Sequence, residues 1–92
     1  MDLMELRKEI DAIDDQLVSL FCQRMEVAAR IAEYKKEYGL PILVPAREQE
    51  KLDDVARKAT PGLEDDTRAL YVFLMECSRN YQSRISGQSE VK

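Results

Sequence analysis

The sequence of 92 residues predicts an all-α fold in a single domain, 1–92, with one very long helix, one short helix and one of medium length. Three observations carry this. Leu3, Leu6, Ile10, Ile13, Leu17, Leu20, Arg24, Val27, Ile31, Tyr34 and Tyr38 follow one another at alternating steps of three and four, the heptad spacing of a helix seam. Glycine and proline number three each, and they fall mainly in two short stretches, 39–45 and 60–62, so the chain has few places to turn. Charged residues make up 35% and aromatics 7%, a balance that suits amphipathic helices better than a sandwich or barrel.

The first helix is expected from Asp2 to Tyr38, because no proline interrupts the stripe and Gly39 followed by Pro41 ends it. At ~1.5 Å per residue it is about 55 Å long. That exceeds the width of a globule of this size. Such a helix cannot bury its whole stripe against its own short chain, which implies a homodimer whose long helices pair or are exchanged. The GLPILVP stretch, 39–45, should be extended, and Pro45 is suited to open a second helix reaching Lys58 or Ala59. Thr60-Pro61-Gly62 is a break. A third helix is expected from near Leu63, with Glu64, Asp65 and Asp66 at the positive end of its dipole. Its stripe is Leu63, Thr67, Leu70, Leu74, Cys77 and Tyr81. The ordered core is placed at about 3–84, with 85–92 a frayed polar tail.

Composition removes several function classes. The net charge of −4 argues against a nucleic-acid partner, and no apolar run approaches the ~20 residues of a membrane span. MDLMELRKEI has acids where a signal peptide would carry lysines and then an apolar core, so a cytoplasmic location is expected. There is no histidine, which excludes histidine-based nucleophile systems and histidine metal sites. Cys22 and Cys77 have no CxxC spacing and read as free thiols. Neither a metal nor a cofactor is expected.

Arg24 stands where the seam calls for an apolar residue. Lys35 lies eleven residues on, about 20° around the helix and roughly 16 Å along it, so both long side chains can reach one small ligand between them. Arg7 is about 25 Å from Arg24 along the same helix and about 100° away around it, so only a second chain could bring it to that ligand. Converging cations suit a small molecule with more than one carboxylate, which a guanidinium grips in a bidentate fork. Taken singly, each residue has an ordinary explanation. Arg24 could set coiled-coil register, and Lys35 and Arg7 could be solvated or ion-paired. Glu48 could serve a helix dipole and Arg47 be a surface charge. Ser78 and Gln82, one turn apart, could be routine helix-face polar residues.

Together, LRKEIDAIDDQLVSLFCQRMEVAARIAEYKK, PILVPAREQEKL and MECSRNYQ resemble the all-helical (type II) chorismate mutase family over about Leu3 to Arg84. The resemblance implies an entwined homodimer of three-helix protomers that converts chorismate to prephenate, on the route to phenylalanine and tyrosine, without a cofactor. It also implies roles. Arg24 would grip one substrate carboxylate, and Arg7 from the other protomer the second. Lys35 and Gln82 would donate to the ether oxygen. Glu48 would meet the ring hydroxyl, with Arg47 and Ser78 completing the wall. Val44 departs from the pattern, standing where an acidic residue can help hold the hydroxyl, and this leaves that contact to Glu48. Three other readings stay open: an isochorismate pyruvate lyase on the same scaffold, a non-catalytic helical dimerisation or regulatory module, and a mutase module cut from a larger fused enzyme.

Overall fold

The computed structural model describes residues 2–87. Its elements are three helices in chain order, α1 (Leu3–Tyr38), α2 (Pro45–Lys58) and α3 (Glu64–Ser86), with no strand among the described residues.

Local chemistry sets each boundary. Asp2 caps α1 in a capping box: its Oδ1 accepts from the Glu5 N–H at 2.9 Å, and its own N–H donates to Glu5 Oε1 at 3.3 Å. At the other end Gly39 takes the left-handed conformation (φ 66°), which a side chain would resist. This lets the Gly39 N–H reach Lys36 O and the Leu40 N–H reach Lys35 O at 2.8 Å, so the last carbonyls are satisfied by a Schellman motif. Pro45 occupies the first turn of α2, where its missing N–H costs nothing. Leu63 is the N-cap of α3 and brings no capping side chain. Glu64 accepts the Gly62 N–H at 2.9 Å, which ties the preceding turn to the helix start, and its own and the Gly62 backbone N–H groups hold its carboxyl below the usual range.

One bound differs from expectation by more than a residue. The third helix runs on through Ser86 and closes on Gly87, so 85 and 86 are helical where a frayed tail was expected. The remainder of that tail, 88–92, lies outside the described residues.

α3 packs against both other helices. The α1–α3 hydrogen bonds from Arg24 to Ser78 and from Gln82 to Ala28 keep the same offset, so the two helices run in the same sense there. The buried residues are Ala28, Ala32, Val55, Ala56, Met75 and Gln82. Small alanines on α1 let α3 approach closely, and the centre of the core is thus at the C-terminal half of α1.

The N-terminal half of α1 has no cover. Every described residue before Arg24 is exposed, and Leu3, Leu6, Ile10, Ile13, Leu17 and Leu20 are each 42% to 59% exposed. The molecule measures 54 × 24 × 23 Å with a radius of gyration of 16.4 Å, against about 12 Å for a compact domain of this length. An apolar stripe this long on one side of a helix is the mark of an interaction surface. Among the described residues no helix is long and apolar enough to cross a membrane.

Candidate active site

The residues that break the apolar faces meet at one place. A cavity of about 430 Å³ opens between the C-terminal half of α1, the 39–44 connection, the start of α2 and the middle of α3. Arg24 and Lys35 enter it from α1, Val44 from the connection, Arg47 and Glu48 from α2, and Ser78 and Gln82 from α3. Arg7 does not line it, as its distance along α1 requires.

Each donor is held by a protein partner. Arg24 Nη1 donates to Ser78 Oγ at 2.6 Å, and the guanidinium carbon lies 5.8 Å from the Tyr71 ring centre, within cation–π range. Ser78 therefore orients Arg24 as well as forming wall. Lys35 Nζ donates to the Ile42 carbonyl at 2.8 Å, which the left-handed turn at Gly39 brings back over the end of α1. Gln82 is 6% exposed, and its Nε2 donates to the Ala28 carbonyl at 3.0 Å. An ammonium has three protons and an amide nitrogen two, so each group keeps donor capacity for a ligand after its anchoring bond is made. Arg47 sits at the rim: its side chain is 63% exposed and bonds Glu50 at 2.8 Å.

Sequence reasoning passed over Lys51, Arg79, Tyr71 and the Ile42 carbonyl. Arg79 lines the cavity and forms an ion pair from its Nη1 to Glu48 Oε2 at 2.5 Å, joining α3 to α2. Its position three residues before Gln82 was the available signal, since residues at that spacing share a helix face. Lys51, one turn beyond Glu48 at i+3, carried the same kind of signal.

The lining thus contains five cations, one carboxylate, and neither histidine nor cysteine. A second cavity, of about 600 Å³, is lined by Phe21, Met25, Cys77, Asn80, Ser83 and Arg84, with one cation, and lacks this convergence. Among the described residues no group of three or more His, Cys, Asp or Glu is placed to hold a metal ion. The first cavity is therefore suited to a small polyanion, with fixed hydrogen-bond donors and no proton-transfer group of the histidine type.

A family profile for chorismate mutase type II matches residues 6–83, a span that covers most of α1, all of α2, most of α3 and every residue of the cavity. The chain belongs to the type II chorismate mutase family. The chain spans about a sixth of the length of some curated relatives it matches and nearly all of another. It is 29% identical to the chorismate mutase of Methanocaldococcus jannaschii, over 98% of this chain and 93% of that protein. It is 46% identical over 56 residues to a bifunctional chorismate mutase/prephenate dehydratase of Aquifex aeolicus, covering 61% of this chain and only 16% of that protein. It is also 37% identical to a 4-amino-4-deoxychorismate mutase of Streptomyces venezuelae, over 70% of this chain and 63% of that protein. No solved structure gives a significant match.

Proposed function

We propose that this type II chorismate mutase domain catalyses the rearrangement of chorismate to prephenate as a homodimer, with Arg7 of the partner subunit completing each site. The observation that carries the reading is the convergence of Arg24, Lys35 and Gln82, from two helices, on one cation-rich cavity. The uncovered stripe on the N-terminal half of α1 supports the dimer, since it presents apolar surface and Arg7 on a segment that reaches past its own core.

The reaction breaks one C–O bond and forms one C–C bond within a single molecule, so it needs no proton transfer and no covalent intermediate. Two tasks remain for the protein. The first is to hold the flexible substrate in its compact diaxial shape. Arg24, steadied by Ser78, grips one carboxylate, and Arg7 of the partner subunit grips the other. The second is to stabilise the negative charge that grows on the ether oxygen as its bond stretches. Lys35 and Gln82 do this. Their positions are fixed in advance by Ile42 and Ala28, so little reorganisation is needed at the transition state. Glu48 accepts from the ring hydroxyl, and Arg47 and Ser78 close the wall.

The test is loss of chorismate and appearance of prephenate with the purified protein, together with its mass in solution. The reading requires turnover by a dimer. A fully active monomer, or turnover of isochorismate to salicylate and pyruvate in place of the mutase reaction, contradicts it.

A further inference from the structure

The ring end of the cavity, where α2 begins, has an unusual charge arrangement. Glu48 is the one carboxylate of the lining, and Arg79 already occupies its Oε2. The pair is largely shielded, with the Arg79 and Glu48 side chains 31% and 26% exposed. Glu48 is also flanked in the lining by Arg47 and Lys51. Position 44, the N-cap of α2, is valine and adds no second acid.

This arrangement favours one kind of ring substituent over another. A carboxylate has about four acceptor sites, so Glu48 can hold Arg79 through one oxygen and take a hydrogen bond from an uncharged hydroxyl through the other. An ammonium in the same place needs negative charge that is not already neutralised. It would meet a carboxylate already paired with Arg79; the neighbouring Arg47 and Lys51 are themselves paired, with Glu50 at 2.8 Å and Asp54 at 3.7 Å, so the Arg79–Glu48 pair carries the discrimination. A protein 37% identical to this chain over 65 residues is named as a 4-amino-4-deoxychorismate mutase, a substrate name with an amine at that ring position.

Resting on the mutase reading above, we infer that Arg79 is a specificity-determining residue: by pairing with Glu48 it makes the ring end of the site an acceptor for a neutral hydroxyl and closes it to a cationic amine. Arg79 acts through Glu48 and is thus a positioning residue. No bond of the substrate is made or broken by it.

The experiment measures kcat/KM for chorismate and for 4-amino-4-deoxychorismate with wild type, Arg79→Met and Arg79→Lys. Wild type should prefer chorismate. Arg79→Met should move the preference toward the amine by about tenfold or more, the size of one charge-assisted contact. Arg79→Lys, which keeps the charge, should stay near the wild-type ratio. A readout on wild type alone needs no variant to fold. Between about pH 7 and pH 9 its kcat/KM for the amine should rise as the substrate's ammonium loses its proton, while that for chorismate does not rise with it. An Arg79→Met ratio within about twofold of wild type overturns the proposal, as does an amine profile that merely follows chorismate. Failure of wild type to turn over chorismate at all is a different result: it removes the mutase reading, and this inference falls with it.

Discussion

Lys35→Ala is the substitution that isolates charge stabilisation from binding. Lys35 Nζ is anchored 2.8 Å from the Ile42 carbonyl and has two further protons for the cavity. If about half a unit of charge develops on the ether oxygen ~3 Å from the ammonium, an effective dielectric of ~20 gives about 3 kcal/mol. That corresponds to roughly a hundredfold in kcat, within the range found for removing one preorganised donor. KM should change far less, because the ground-state ether carries little charge and the carboxylates are held elsewhere. The variant also removes the side-chain tie between α1 and Ile42, at a cost of about 1 kcal/mol in stability, so unfolding curves must accompany the kinetics. Initial rates of chorismate loss over a range of substrate concentrations decide the matter. A folded Lys35→Ala protein whose kcat stays within about threefold of wild type, or whose whole loss is in KM, refutes the assignment.

Gln82→Leu should lower kcat by at least about tenfold, with helix content retained by circular dichroism, because Gln82 is the second donor proposed for the ether oxygen and the Ala28 carbonyl keeps its helical partner. Unchanged kcat would remove Gln82 from the chemistry. Val44→Asp should stabilise the fold by about 1 kcal/mol in denaturant unfolding, since Val44 is an N-cap with no side-chain hydrogen bond to the first turn of α2. A loss of stability would show that the 39–44 connection, and not the cap, governs that end. Asp54 is held below the usual carboxylate range, first by its hydrogen bond from Lys58 and then by the charges of Lys58, Lys51 and Arg57. A depressed folded pKa contributes stability that is present above the unfolded value and lost as pH falls through the folded one. Asp54→Asn should therefore lower the thermal midpoint at neutral pH and converge with wild type in acid, and a gap that persists in acid contradicts the linkage.

The sequence was most legible where a side chain interrupts a strong pattern. Arg24 announced itself because ten apolar or aromatic residues share its seam, and Lys35 followed from helical geometry. The same geometry separated Arg7 from the cavity of its own chain. The end of α3 was less legible, because SGQSEVK is polar and nothing in its composition distinguishes a last helical turn closed by Gly87 from an open tail. Arg79 was hidden for a different reason. An arginine one residue after Ser78 reads as surface charge until the docking of α2 on α3 puts Glu48 opposite it. The Ile42 carbonyl was not readable at all: a backbone acceptor has no side-chain identity, and its direction depends on the turn at Gly39. Patterns local to one helix were thus visible, and features created by the packing of two helices were not.

The most direct measurement mixes two crippled variants, Arg7→Ala and Arg24→Ala, under conditions that let subunits exchange. If each site takes Arg24 from one chain and Arg7 from the other, a mixed dimer concentrates both lesions in one site and leaves the other intact. An equal mixture should regain about a quarter of wild-type activity, because half the dimers are mixed and each has one good site. No recovery after demonstrated exchange would mean that the two arginines do not meet across a dimer, and the shared cage would have to be abandoned.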